Sequence, residues 1–190
     1  MTMHWLRAES HRRMRWKNGK GETIEVAVHP PGATLETFDW RISMAAVVED
    51  GDFSSFAGID RTLAVLGGGP LGLTLDGASP VNLSAKGAPW SFPADVPCHA
   101  RLHGEPVTDL NVMTRRGRWR HRLVRLVRGE VLHLAATTSV CLAAPGAASL
   151  LVDDTPCALG ALDALVIAHD AVVCLVAGEA WLAQLEPVEA

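Results

Sequence analysis

The stretch Phe38-Asp39-Trp40-Arg41-Ile42-Ser43-Met44 decides the fold class, because apolar and polar residues alternate along it without interruption. Successive side chains of a β-strand point to opposite faces of a sheet, so a period of two predicts a strand rather than a helix. The four apolar residues share one face, and the polar residues share the other. The stretch therefore predicts a sheet that carries charged side chains on one of its faces.

Turn signals surround this strand along the chain. Gly67-Gly68-Gly69-Pro70 precedes the alternating leucines of residues 71–75, and Asp76-Gly77, a dipeptide typical of tight hairpins, follows them. The glycines formally match a dinucleotide-binding fingerprint, but Pro70 and a strand follow where that site requires a helix, so we interpret them as a turn. Further strands are predicted at residues 23–28, 91–92, 100–102, 109–113, 119–127 and 130–134.

The C-terminal segment is alanine-rich, and residues 161–167 and 172–176 could be drawn as helices. Prolines, glycines and paired aspartates, such as Pro145-Gly146, Asp153-Asp154 and Gly178, divide it into pieces of four to eight apolar residues. Short strands at this spacing are typical of a sandwich or barrel. The sequence therefore predicts an all-β protein.

Composition and charge narrow the class of protein. The chain has 190 residues, of which 48% are hydrophobic and 20% charged, as in globular domains. Its apolar runs are far shorter than the roughly 20 residues of a membrane helix, so we expect a soluble, cytoplasmic protein without membrane partners. No Cys-x-x-Cys pair joins the four cysteines, which predicts reduced, buried thiols.

The charge is distributed unevenly. All 17 basic residues lie in residues 1–128 with 13 of the 21 acidic ones, and residues 129–190 hold the other eight acidic residues. This division predicts two halves with different surfaces, a boundary near residues 114–118, and an anionic ligand or partner for the first half.

Polar residues that a sheet could point inward form the candidate site. The segment 16–21 combines a lysine, an amide and glycines, and Arg61 follows a turn and suits bidentate capture of a carboxylate. A structural salt bridge, such as Arg41 with Asp109, is the alternative for each charged residue. The candidate ligand-binding residues are Lys17, Asn18, Gly19, Arg41, Ser43, Arg61, Asp109 and Asn111. The candidate pocket wall, with ordinary core packing as its alternative, is Trp40, Phe53, Phe56 and Phe92.

Other constellations support no site. His99 and His103 would lie roughly 13 Å apart on a strand, too far to bind one ion directly. Cys98 would face away from His99, and no nucleophile elbow occurs. Seven arginines without an acidic residue among them span residues 115–128, and their alternation with apolar residues predicts a solvated strand face. Phosphate binding by these arginines is the alternative, although no nucleic-acid-binding motif accompanies them.

Five segments together resemble a known family. They are WKNGKGETIE (16–25), FDWRISMAAV (38–47), GDFSSFAGIDRTLAVLGG (51–68), WSFPAD (90–95) and DLNVMTRRG (109–117). On these motifs the sequence resembles the HutD family, also called Ves, through most of its first 117 residues. The acidic tail carries no motif of that family.

The resemblance implies a bicupin, in which two small antiparallel β-barrels pack together. The first barrel would occupy residues 1–117 and the second, smaller and acidic, residues 118–190, with strands exchanged between them as an open alternative. The family is associated with histidine utilisation as a modulator, and formylglutamate is its suggested ligand. This sequence lacks the His-x-His metal pattern of many cupins, so we expect no metal and no cofactor.

We therefore predict a regulatory protein that binds a small anionic metabolite. The alternative is a metal-independent cupin enzyme acting on a small acidic or sugar-like metabolite, with Asp109 or Glu25 as general base, but no nucleophile and base pair supports catalysis. Nucleic-acid binding is a third hypothesis, which the acidic C-terminal half disfavours. The frequency of two-fold dimers favours a homodimer through a sheet edge.

Overall fold

The computed structural model describes residues 3–15, 21–135 and 138–189. They form an all-β protein, which confirms the predicted class, with one short 3-10 helix at Ala8–Ser10. Among these residues, no helix has the length and apolarity to cross a membrane. The strands are β1 (Met3–Leu6), β2 (Arg12–Arg15), β3 (Glu22–His29), β4 (Trp40–Val47), β5 (Gly51–Asp52), β6 (Ile59–Gly68), β7 (Leu71–Leu75), β8 (Val81–Leu83), β9 (Trp90–Pro93), β10 (Cys98–Leu102), β11 (Val107–Arg115), β12 (Trp119–Arg125), β13 (Val131–Leu134), β14 (Thr138–Val152), β15 (Thr155–Leu159), β16 (Ala164–Ile167) and β17 (Ala171–Pro187).

The chain divides into two compact units. Arg12–Arg120 form the N-terminal unit, and Met1–His11 join His121–Ala190 in the C-terminal unit. The sequence predicts a boundary between residues 117 and 118, whereas the structure divides the chain three residues later. The first residues belong to the C-terminal unit because β1 pairs with β16.

A seven-stranded antiparallel sheet forms the C-terminal unit. Its strand order is β1-β16-β14-β17-β12, with β13 beside β17 and β15 beside β14. Its core is apolar and includes Cys141, Leu150, Leu165 and Leu182, all almost fully buried.

Two of the breaker signals in this unit do not end a strand. The long strand β14 continues through Pro145-Gly146, and β17 continues through Gly178. The pairing of β14 with β17 shifts register between Ala143 and Ala148, so the expected break is an irregularity within longer strands. Gly178 has a φ of +80°, and a Cβ there would overlap the carbonyl oxygen of Ala147, so the close approach of the two strands requires glycine.

Two sheets form the N-terminal unit. The six-stranded sheet has the order β2-β3-β4-β11-β6-β9, and the four-stranded sheet has the order β5-β10-β7-β8. One core cluster joins Leu63 and Val65 of β6 to Leu71 of β7 and Cys98 of β10, so the two sheets pack face to face. The closed barrels that the family resemblance implies are not formed, since the pairings of the described strands leave the sheets open.

Candidate functional site

The face of the six-stranded sheet that carries Leu63 and Val65 also carries most of the candidate ligand-binding residues. Side chains that are two residues apart on a strand share a face, and the strand register aligns the polar positions of β3, β4, β6 and β11. We call this group the polar cluster. It consists of Glu25, Arg41, Ser43, Arg61, Asp109 and Asn111.

The register of three strands sets the spacing within the polar cluster. Met113 of β11 lies opposite Arg41 of β4 on one side and opposite Arg61 of β6 on the other. Adjacent strands lie about 4.8 Å apart, so the Cα atoms of the two arginines are about 10 Å apart. Asn111 and Asp109 follow at two-residue steps along β11 on the same face. Two buried arginines therefore flank the strand that carries the amide and the carboxyl group.

Arg41 belongs to a buried ion pair. Its Nε donates to Oε2 of Glu25 at 2.7 Å, and its Nη1 donates to Oγ of Ser43 at 3.2 Å. The side chains of Arg41 and Glu25 are only 5% and 10% exposed. The structural salt bridge considered from the sequence thus forms with Glu25 rather than with Asp109. Nothing in the sequence pattern pointed to Glu25 as this partner, because the pairing depends on the register of β3 against β4.

Arg61 is buried without a carboxylate partner among the described residues. Its Nη2 donates to the carbonyl oxygen of Ser54 at 3.2 Å, and its Nε is buried with no hydrogen-bond partner in the described part of the chain. The guanidinium carbon lies 5.5, 5.3 and 5.8 Å from the ring centroids of Phe53, Phe56 and Phe92. Burial lowers the pKa of Arg61 from its ordinary value. Three of the four aromatic residues predicted to wall the pocket therefore surround this cation.

Asp109 is 1% exposed and takes part in no ion pair of the described chain. Its Oδ1 accepts from the backbone N–H of Ala45 at 3.2 Å and from Nδ2 of Asn111 at 2.7 Å. Burial raises the pKa of Asp109 to about 7, against the opposing effect of the Arg61 cation. The amide oxygen of Asn111 is itself buried with no hydrogen-bond partner in the structure described.

Trp40, the fourth aromatic residue of the predicted pocket wall, lies away from the polar cluster. Trp40 directly precedes Arg41 on β4, so it lies on the opposite face of the sheet. There its ring stacks on that of His29 with 5.5 Å between the ring centroids, and it meets the ring of Trp119 edge-on with 6.4 Å between the centroids. The structure does not bring Trp40 to the polar cluster. Lys17, Asn18 and Gly19 fall outside the described residues.

A separate cavity of about 340 Å³ lies on the four-stranded sheet, lined by Asp50, Gly72, Thr74, Pro80, His99, Arg101 and His103. The sequence predicts no site at these histidines. Nδ1 of His99 lies 2.7 Å from Oδ1 of Asp52. Over the described ranges, no group of three or more His, Cys, Asp or Glu side chains is arranged to hold a metal ion.

Part of the arginine-rich segment is neutralised by acidic residues from elsewhere in the N-terminal unit. Arg116 pairs with Asp60 at 2.8 Å and with Asp95 at 3.0 Å, and Arg118 pairs with Asp39 at 2.8 Å. These ion pairs reduce the positive field that the segment would present to a nucleic acid.

The polar cluster has the chemistry of a small-anion site. Among the described residues it offers a buried guanidinium that no carboxylate contacts directly, an unsatisfied guanidinium N–H and an unsatisfied amide oxygen. A buried polar atom without a partner costs about 1–3 kcal/mol, so a ligand that satisfies these atoms would recover that free energy. These features make the polar cluster the candidate site for a polar, negatively charged group.

The fold belongs to the all-β, cupin-like class. The crystal structure of YlbA from Escherichia coli matches 99% of this chain and 93% of its own with a TM-score of 0.70, and at 11% identity this likeness shows the fold alone. The family model described as HutD matches residues 8–183. The chain therefore belongs to the HutD family, which confirms the resemblance found in the sequence.

Relatives from pseudomonads support this membership. The chain is 35% identical over 139 residues to an uncharacterised 21.2 kDa protein in the hutC 3′ region of Pseudomonas putida, which covers 73% of this chain and 72% of the relative. It matches HutD from Pseudomonas fluorescens SBW25 at 30% identity with a TM-score of 0.84, over 99% and 100% of the two chains. A conserved protein of unknown function from Pseudomonas aeruginosa PAO1 matches at 33% identity and a TM-score of 0.86, over the full length of both chains.

Proposed function

We propose that this protein binds a small anionic metabolite and thereby modulates histidine utilisation. Membership of the HutD family and the similarity to HutD from Pseudomonas fluorescens support the link to that pathway. We further propose that the two units correspond to the two halves of a bicupin whose sheets stay open instead of closing into barrels, with the ligand bound by the N-terminal unit. The polar cluster of that unit supports the binding role.

One observation carries the proposal: Arg61 is a buried guanidinium that is 5% exposed and has no carboxylate partner in the part of the chain described. A desolvated cation is costly unless an anion neutralises it. The three phenylalanines offset part of this cost through their ring faces, but they do not satisfy the free Nε–H. A ligand carboxylate would satisfy both needs through charge-assisted hydrogen bonds.

The unsatisfied oxygen of Asn111 adds a second requirement. Arg61 and Asn111 are diagonal neighbours on adjacent strands, with Cα atoms about 7–8 Å apart. A ligand that carries an N–H donor close to a carboxylate could therefore bond to both side chains. Formylglutamate has a formamide N–H beside its α-carboxylate and a second carboxylate, and we propose it as the ligand. Lys17, Asn18 and Gly19 remain candidates for further contacts.

Access to Arg61 would run through the segment that links β5 to β6. Phe53 and Phe56 of this segment are only half-buried, and Ser54 and Ser55 are exposed. The carbonyl of Ser54 is the only described hydrogen-bond acceptor of Arg61. A carboxylate could replace that neutral carbonyl with a small movement of the segment.

A thermal-shift series tests the proposal. EDTA-treated protein is scanned with histidine, urocanate, formiminoglutamate, formylglutamate and glutamate. A ligand at about 100 times its Kd adds roughly 2.7 kcal/mol of stability, which raises Tm by several degrees for a chain of this size. We expect a selective shift with formylglutamate.

Substitution of Arg61 then locates the site. Arg61→Met keeps an unbranched side chain against the phenylalanine rings but removes the cation, so we expect more than a tenfold loss of formylglutamate affinity. Arg101→Met, which removes an exposed arginine of the same unit, is the matched control and should bind normally. Unchanged affinity after joint replacement of Lys17, Arg41 and Arg61 would refute the proposal.

An enzymatic role is a second candidate, favoured by the pKa of about 7 for Asp109. A general base is most effective when its pKa lies near the working pH. Turnover of these same metabolites by metal-free protein, lost in Asp109→Asn, would establish catalysis. Ligand binding without turnover would leave the regulatory role.

A further inference from the structure

The buried charges of the polar cluster fall into two groups with different partners. Glu25 and Arg41 neutralise each other through a hydrogen bond of 2.7 Å. Within the described ranges Asp109 and Arg61 make no hydrogen bond to each other, and each forms its hydrogen bonds with neutral groups. The cluster therefore contains one carboxyl group and one guanidinium whose charges depend on each other without direct contact.

The surroundings of Asp109 make its charge sensitive to a ligand. The cation of Arg61 on β6 is the nearby charge that favours the ionised form of Asp109. Other ionisable groups on the strands around it are the Glu25–Arg41 pair on β3 and β4, which is internally neutralised, and the thiol of Cys98 on β10, which interacts with Arg61. An anion bound to Arg61 would neutralise that cation and place a like charge close to Asp109, and both effects favour the protonated carboxyl.

We propose that a carboxylate binds at Arg61 together with one proton, which Asp109 takes up from solution. This inference rests on the proposed function, because it concerns the same site. The carboxylate group at Arg61 contributes one negative charge and the proton one positive charge, so these two charges cancel within the buried cluster. Asp109 thus sets the pH dependence of binding, whereas Arg61 sets the selectivity for an anionic ligand.

Proton uptake makes binding depend on pH in a defined direction. Burial raises the pKa of Asp109 to about 7 in the free protein. Below that pH the carboxyl already carries its proton, so affinity should not change with pH. Above that pH, Asp109 must take up a proton from solution each time a ligand binds. Kd should therefore rise about tenfold per pH unit until the pKa of Asp109 in the liganded protein is passed.

Isothermal titration calorimetry with formylglutamate tests this coupling. Titrations at pH 6 and pH 8, each in two buffers with different ionisation enthalpies, give the number of protons taken up. Carboxylates of the probe have pKa values of roughly 3.5–4.3, so the probe does not titrate in this range. We expect about one proton per ligand at pH 8, almost none at pH 6, and an affinity that is about tenfold weaker at pH 8.

Two variants separate Asp109 from other titrating groups. Asp109→Asn retains an oxygen acceptor for the Ala45 N–H and the Asn111 amide, and it should bind formylglutamate with no proton uptake and with equal affinity at both pH values. Asp76→Asn, which removes an exposed carboxyl from a turn, should behave as the wild type. If Asp109→Asn fails to fold, proton uptake by the wild-type protein and a ¹³C NMR titration of the Asp109 carboxyl still decide the question.

The outcomes distinguish the two proposals. Uptake of one proton that disappears in Asp109→Asn supports the coupling. Binding of formylglutamate without proton uptake at pH 8 overturns the coupling and leaves the proposed function intact. Failure of formylglutamate to bind at either pH overturns both.

Discussion

The two units of this protein bury very different interiors, although both consist of antiparallel sheets. The C-terminal unit packs an apolar core of aliphatic side chains and cysteines, such as Leu165 and Cys141. The N-terminal unit instead buries two arginines and two carboxyl groups on one sheet face beside its apolar core. Buried charges cost stability unless they are paired, so a protein gains nothing in folding from this arrangement. The difference is the reason for placing the proposed binding function in the N-terminal unit.

The Glu25–Arg41 pair offers the most severe test of this comparison. Replacing Arg41 by Met leaves the Glu25 carboxylate buried without a counter-charge, and breaking such a pair costs about 3–5 kcal/mol. Glu25→Leu should cost a similar amount, whereas the double variant should recover most of the loss because no uncompensated charge remains. Urea denaturation of the two single variants and the double variant measures the coupling.

If the loss of stability in the double variant equalled the sum of the losses in the two single variants, the two charges would not be coupled. The pair would then contribute through independent contacts of each side chain, such as the bond from Arg41 to Ser43. Formylglutamate affinity in the double variant adds a second readout, since a purely structural pair leaves the binding by Arg61 intact.

Asp109 should make the stability of the protein depend on pH. Its pKa is raised to about 7 in the folded state from 3.8, so the folded protein holds a proton that the unfolded chain releases between these values. Stability from this group is therefore fully present below about pH 4 and is lost as the pH rises to about 7, by at most about 4 kcal/mol. Above pH 7 the contribution stays constant.

The difference between wild type and Asp109→Asn isolates this effect, because other carboxyl groups titrate in both proteins. Asp95, for example, has a lowered pKa owing to its hydrogen bond with Arg116, and its effect cancels in the difference. Chemical denaturation at pH 5, 6, 7 and 8 should show that the wild type loses stability relative to the variant as the pH rises. A difference that does not vary with pH would mean that Asp109 stays ionised throughout.

Much of the fold could be predicted from local pattern. The bounds of β7 agree with the predicted strand at residues 71–75, and the alternation in residues 38–44 correctly assigns Arg41 and Ser43 to one face of a strand. Local sequence patterns do not predict features that depend on the pairing between strands. The sequence pattern of Pro145-Gly146 suggests a break, but cross-strand pairing on both sides carries β14 through it.

The candidate site shows the same limit. Residue type and strand alternation identify Arg41, Arg61, Asp109 and Asn111 as inward-facing polar residues, because such residues are rare in strand interiors. Their partners depend on register, which a period of two does not define. A register shift in β3 between Glu25 and Ala27 places Glu25 beside Arg41, and no signal in the sequence indicates that shift.

A surface ion pair of the C-terminal unit should have the smallest effect. Nη1 of Arg125 lies 3.2 Å from Oε2 of Glu179, and their side chains are 32% and 57% exposed. Exposed pairs contribute about 0–1 kcal/mol and are screened by salt, so Glu179→Gln should reduce stability by less than about 1 kcal/mol at low salt and by less at 1 M salt. Urea denaturation at the two salt concentrations measures both values. A loss above about 2 kcal/mol would show that the C-terminal unit also depends on specific charge pairing. The difference between the two units would then no longer be a reason to place the proposed binding site in the N-terminal unit.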